Sequence, residues 1–276
     1  MICDTHIHSK EFSADADMTI QQIMNFLSNN TDAIVCTTEH FDYDYTLHLP
    51  FNELKVDLDE YALKFNLYKQ KFENEFQKSF PVLFGIEFGY FKHLGKFYNY
   101  ISQLRNFDCI INSVHCIDNR DPYWERDIFE RGKKEIYSLY LETIIEMLSD
   151  SDCFDVVGHF DYISRYSPYD DKLMRYMDFP DHFDKIFNLC ISKGKALELN
   201  TKTCAAFKRD NPEIFYDVDI IKRYKELGGE LITYGSDAHE ISKLFNLYEE
   251  TREMLLKYNF KYFTYYKNRK PLFEKI

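Results

Sequence analysis

The residues able to do chemistry fall into short groups, each at or just past the end of an apolar run. Asp4-Thr5-His6-Ile7-His8 follows the run at 1–3, and Thr38-Glu39-His40 follows 33–36. Gly85-Ile86-Glu87 closes 81–86, and Asn112-Ser113-Val114-His115 follows 109–111. Gly158-His159-Phe160-Asp161 follows 154–157, Glu198-Leu199-Asn200 closes 196–199, and Gly235-Ser236-Asp237-Ala238-His239 follows 231–234. Imidazole nitrogen and carboxylate oxygen are ligands for zinc, manganese or ferrous iron. One His after a strand is ordinarily a satisfied polar residue. Six of the nine His share this location, together with Glu87 and Asp237. Burying so many imidazoles and acids side by side is costly unless cations balance them. Of the other three, His93 and His182 read as surface residues, and His48, in the loop after the second strand, reads as solvent-exposed unless it reaches substrate.

Those groups must be positioned by the elements that carry them. The seven apolar runs read as strands. Helical patterns lie between them at 20–27, 58–76, 133–148, 183–191 and 220–227. A β-α alternation implies parallel strands, in a barrel or an open doubly wound sheet. The C-terminal strand ends then share one face, where ligands bind. Residues 42–52 read as an aromatic and acidic loop, and 201–217 as a second long loop carrying Lys208-Arg209. No linker rich in Pro, Gly or Ser interrupts the series, so one domain over 1–276 is expected.

Composition narrows the function. The 276 residues carry 34 basic and 46 acidic side chains, net −12, which disfavours a phosphate backbone as partner. With 25 Phe and 22 Tyr the chain can build a large core. No run is long enough to cross a membrane, and the start of the chain lacks the pattern of a signal peptide. The seven Cys contain no CxxC pair and read as reduced core thiols of a cytoplasmic protein. Cys116, next to His115, reads as a packing residue.

The ordered groups, including Thr38-Glu39-His40-Phe41-Asp42, Gly85-Ile86-Glu87-Phe88-Gly89-Tyr90 and Ser113-Val114-His115-Cys116-Ile117-Asp118, resemble the motifs of the PHP (polymerase and histidinol phosphatase) superfamily. The details are most similar to its histidinol-phosphatase branch, and the likeness runs from residue 2 to about 240. The resemblance implies an α/β fold, a distorted (β/α)7 barrel, holding three divalent ions (zinc, manganese or iron). It implies His6, His8, Glu87 and Asp237 on one ion and Asp15, His40 and His239 on a second. Glu87, His115 and His159 would hold the third, with Glu87 bridging. Asp17 lies close enough to compete with Asp15, and Asp15 could instead cap the helix that follows.

The activity so implied is hydrolysis of L-histidinol phosphate, late in histidine biosynthesis, by direct attack of a metal-activated water on phosphorus. The partner is then a small phosphorylated metabolite; oligomeric state is not legible. Arg165 resembles a phosphate-binding arginine of the family. Arg209 is a looser candidate, with Lys202 and Lys208 competing for the role. Asp161 and His239 are the expected catalytic residues, although Asp161 could equally orient His159. Asp42, with Tyr43, Asp44 and Tyr45, is the expected receiver of the substrate's cationic end, unless these form a solvated lid. Three other readings compete. One is a PHP enzyme for another phosphoester. Another is an amidohydrolase, which ordinarily needs a carboxylated Lys that no central strand supplies. The last is a non-catalytic metal-binding module.

Overall fold

The computed structural model describes residues 1–44, 55–210 and 215–276. Among them, β1 (Ile2–Ile7), β2 (Ala33–Phe41), β3 (Val82–Gly89), β4 (Cys109–Ser113), β5 (Val156–Val157), β6 (Ala196–Asn200) and β7 (Ile232–Gly235) pair in that order in one sheet. Every pair is parallel. The sheet curls until its edges meet: the Asp237 N–H donates to the His6 carbonyl at 2.8 Å, and the His8 N–H to the Ala238 carbonyl at 3.0 Å. The result is a nearly closed barrel of seven strands with helices outside. All residues of β3 and β4 are buried. Strands covered on both faces read as continuous apolar runs, which is why they stood out in the sequence.

The five expected helices are present as α1 (Ile20–Asn29), α2 (Leu58–Phe76), α4 (Lys133–Asp150), α6 (Pro180–Lys193) and α8 (Val218–Glu226). Local chemistry sets their ends. Thr19 and Gln22 form a capping box on α1, and Asp57 accepts from two N–H groups of α2. Pro180 opens α6, and Gly194 closes it in the left-handed conformation. Helices α3 (Gly95–Leu104), α5 (Tyr162–Tyr166), α7 (Thr201–Asp210) and α9 (Tyr248–Lys257) complete the described set. Helix α7 corrects the expected loop at 201–217. It starts directly where β6 ends and buries Cys204 and Phe207.

A hairpin of β8 (Tyr262–Lys267) and β9 (Lys270–Lys275) follows. Its Tyr266 packs with Cys3, Cys36, Leu83, Cys109, Ile111, Val156 and Ala196, at the barrel end opposite the strand C-termini. The turn is pinned there. The Asn268 N–H donates to Asp108 Oδ1 at 2.9 Å, and Arg269 Nη2 to the Cys153 carbonyl at 2.9 Å. Arg269 Nε also pairs with buried Asp155, which accepts the Ile110 N–H at 2.9 Å. Removing the guanidinium strands a buried carboxylate. Arg269→Ala is therefore expected to lower unfolding free energy by about 2 kcal/mol in urea titrations; a loss under about 0.5 kcal/mol would show that the pin contributes little. All seven Cys are free and buried, as expected of core thiols. Among the described residues no helix is long and apolar enough to cross a membrane.

Candidate metal centre and phosphate pocket

The C-terminal strand ends bring the expected groups together. His6 on β1 and His8 just past its end bring their Nε2 atoms to within 3.1 Å of each other. The β2–β3 register sets His40 beside Glu87. Around the single Glu87 carboxylate stand five imidazoles: His6 Nε2 at 3.4 Å, His8 Nε2 at 3.6 Å, His40 Nδ1 at 3.0 Å, His115 Nε2 at 3.4 Å and His159 Nε2 at 3.1 Å. Asp237 joins from the end of β7, with Oδ1 3.5 Å from both His8 Nε2 and His239 Nδ1. Asp15 Oδ2 lies 3.0 Å from His239 Nε2 and 3.6 Å from His40 Nε2. Asp17, the competing position, is 84% exposed and faces Lys10 instead. The cap of α1 is Thr19, so Asp15 does not fill that alternative role.

Among the described residues, four groups of side chains have ligand atoms mutually within 4.8 Å: His6/His8/Glu87, Glu87/His115/His159, His8/His40/His239 and His40/Asp42/His115. The first two fall within expected sets. In the third, His8 joins His40 and His239, with its ring stacked 4.1 Å from that of His40. The donor atoms suit cations. His40 Nδ1, Glu87 Oε2 and Asp42 Oδ2 are buried and make no hydrogen bond, although His40 Nδ1 is only 3.0 Å and 3.3 Å from the two oxygens. Atoms crowded in this way could hold a positive ion between them.

The electrostatics agree. Burial would raise the Glu87 carboxyl, yet His6 and His115 hold it well below the ordinary range. Asp237 is held low in the same way, against burial, by Lys202 and Arg165 first. Burial opposes charge on His115, but Asp42 and Glu87 push it up to about 10. The acids of this site demand positive charge.

Several supporting side chains surround the centre. Asp42 accepts from His115 Nδ1 at 2.8 Å. Gly89 makes that possible, because a Cβ there would sit 1.5 Å from Asp42 Oδ1. Asp42 thus stands behind an imidazole and not in a solvent-facing lid. Asp42 also lines the cavity described next; of its neighbours, Tyr43 packs on Phe97 with ring centroids 4.5 Å apart, and Asp44 pairs with exposed His93 at 2.9 Å. Tyr45 and His48 lie outside the described residues. Glu39 and Glu198, both fully buried, were not singled out as site residues from sequence. Glu39 accepts from the Ser9 N–H at 3.0 Å and from Ser13 Oγ at 2.7 Å. Glu198 lies 2.7 Å from His6 Nδ1. Their signal was present, an acid at a strand end, but residue type alone does not separate a ligand from the group that orients one.

Beside the cluster opens a cavity of about 380 Å³. Arg165 and Lys202 bring two cationic heads to it. Arg165 Nη1 pairs with Asp237 Oδ2 at 3.1 Å, Nη2 donates to Asn200 Oδ1 at 3.3 Å, and Nε to Thr203 Oγ1 at 3.2 Å. Lys202 Nζ is 3.1 Å from both Asp237 Oδ1 and His239 Nδ1. The far wall is Asp121, Tyr123, Trp124 and Tyr166, none of them expected from sequence. Arg209 falls in α7, but its side chain lies outside the described residues. Asp161 is buried and is not among the residues lining the cavity. Thr203 Oγ1 donates to it at 3.3 Å, and burial pushes its carboxyl up to about 7. It braces Thr203 and through it Arg165. Burial raises the Cys116 thiol, which fits the packing role expected for it.

Fold and site together define a class: the chain belongs to the PHP domain family, whose sequence profile matches residues 4–202. Its relatives are more specific. A Clostridium acetobutylicum protein described as a probable histidinol-phosphatase is 30% identical over 241 residues, 87% of each chain. The histidinol-phosphatase of Lactococcus lactis is 28% identical over 259 residues, 93% of this chain and 91% of that one. A crystal structure of histidinol phosphate phosphatase from Lactococcus lactis, complexed with zinc, L-histidinol and phosphate, superposes with a TM-score of 0.82 at 25% identity and covers 98% of each chain.

Proposed function

We propose that this chain is a metal-dependent phosphomonoesterase acting on L-histidinol phosphate, working as one domain over its whole length. The observation that carries the reading is the ring of five imidazoles on Glu87. We assign His6, His8, Glu87 and Asp237 to one divalent ion, Asp15, His40 and His239 to a second, and Glu87, His115 and His159 to a third. Zinc fits this donor set, and the Lactococcus lactis structure holds zinc. Bound there, the ions would lower the pKa of a water and neutralise phosphoryl oxygens.

The chain's own residues do the rest. Arg165 and Lys202 pair with the phosphoryl oxygens on the side of Asp237, and the planar guanidinium can hold two of them at once. Asn200 and Thr203 keep that guanidinium in register. Asp42 holds the Nδ1 proton of His115, so that Nε2 faces Glu87. The leaving alkoxide takes its proton from the Lys202 ammonium, which lines the cavity 3.1 Å from Asp237 Oδ1, while His239 turns Nδ1 to the Asp237 carbonyl at 2.9 Å. Asp121 and the rings of Tyr123, Trp124 and Tyr166 form the wall available to the ammonium and imidazole of the substrate.

A steady-state comparison of phosphomonoesters tests the substrate. Histidinol phosphate is expected to exceed neutral alkyl phosphates of similar size by at least tenfold in kcat/KM, about 1.4 kcal/mol of discrimination. Equal rates across the panel would leave a phosphatase and remove the named substrate.

A further inference from the structure

Glu198 is fully buried in the middle of β6, and no lysine or arginine pairs with it at ion-pair distance among the described residues. Its two oxygens do different work. Oε1 lies 2.7 Å from His6 Nδ1. Oε2 accepts the backbone N–H of His159 at 2.6 Å and Asn200 Nδ2 at 3.3 Å. One carboxylate therefore ties together β1, the segment just past β5, and β6, in contact with two of the residues whose imidazoles surround Glu87. Room for it is made by Gly235, where a Cβ would come within 2.1 Å of Glu198 Oε1 and 2.8 Å of the His6 Cβ.

We propose that Glu198 is a positioning residue that holds the Nδ1 proton of His6, so that Nε2 presents its lone pair to the metal centre. The argument is proton bookkeeping. An imidazole whose Nε2 lone pair is taken by a cation keeps one proton, on Nδ1. In His6 that proton has a single acceptor, Glu198 Oε1, placed at hydrogen-bond distance. A carboxylate behind a ligating imidazole fixes the ring and raises its basicity. The same carboxylate cannot be replaced by an amide. The buried N–H of His159 requires an acceptor at the Oε2 position, so a Gln must place its oxygen there and its NH2 towards His6 Nδ1. A donor would then face a donor whenever Nε2 is ligated, and the ring would favour the tautomer that blocks Nε2.

The inference rests on the proposed ligand role of His6, and the test separates the two. Zinc affinity is measured by competition with a chromophoric chelator, on wild type and Glu198→Gln, together with thermal unfolding of the metal-free forms. The His6 Nδ1–H resonance of the zinc-loaded, 15N-histidine-labelled proteins is read in parallel. Glu198→Gln, nearly identical in shape, is expected to weaken zinc roughly ten- to a hundredfold, to lose the protected Nδ1–H resonance, and to leave the metal-free unfolding temperature close to wild type. Unchanged zinc affinity, or a lowered unfolding temperature with affinity intact, overturns the positioning role and leaves Glu198 a barrel brace. Should that variant not fold, Glu198→Asp, which withdraws the carboxylate by one methylene, is expected to show the same affinity loss, and unchanged affinity there also overturns the proposal. Wild type that binds no zinc defeats the metal reading itself, a different failure.

Discussion

Glu87→Gln is expected to lower kcat/KM for histidinol phosphate by at least about a thousandfold, some 4 kcal/mol of transition-state stabilisation. No other residue touches as much of the centre: five imidazoles lie within 3.6 Å of its carboxylate, and Ser113 Oγ donates to it at 2.6 Å. The amide removes one negative charge and replaces a ligating oxygen with a donor. That NH2 would face imidazole nitrogens whose lone pairs are needed elsewhere. Metal content should fall with activity, while the metal-free fold survives because the side chain keeps its volume. Steady-state kinetics with elemental analysis of the same preparation checks both. A loss below about tenfold would show that Glu87 does not bridge the ions.

Arg165 carries the second large effect. Its side chain is 6% exposed, and its guanidinium, bonded to Asp237, Asn200 and Thr203, lines the cavity. The contacts to Asn200 and Thr203 use Nη2 and Nε, which an ammonium cannot reproduce. Arg165→Lys is therefore expected to cost roughly a hundredfold in kcat/KM and to weaken inhibition by inorganic phosphate, with metal content unchanged. Arg165→Ala should cost about tenfold more. If phosphate inhibition survives intact in both, the guanidinium serves Asp237 alone and another group holds the phosphoryl oxygens.

The groups proposed to bind metal were legible because each sits at the same place in a repeated β-α pattern. His6, His40, Glu87, His115, His159 and Asp237 could be placed on one face without any knowledge of their distances. Asp15 was harder, since its loop carries two acids; packing against His40 and His239 separates it from Asp17. Roles behind the first ring of atoms were not legible. Asp42, Asp161, Glu39 and Glu198 share chemistry with the proposed ligands, and their contacts to His115, Thr203, Ser13 and His6 could not be read from residue type. Asp42 depends on the missing side chain at Gly89, a contact between positions 47 residues apart in sequence.

The elements that escaped notice lack the usual local marks. Helix α3 opens on Gly95 after an uncapped Leu94, and α9 follows Leu247 in a left-handed conformation without a capping side chain. Helix α7 follows β6 with no intervening turn. The final hairpin turns at Asn268-Arg269, both left-handed, where Asn-Gly is the common signal. Arg269 accepts that conformation while its guanidinium is anchored on Asp155 and Cys153.

The most direct test is the metal content of the active wild-type protein. Purified without chelator, it is expected to carry at least two gram-atoms of zinc, manganese or iron per chain. Dialysis against a chelator should remove them together with phosphatase activity, and readdition should restore both. Full turnover by protein that holds no stoichiometric divalent ion would contradict the account at its root.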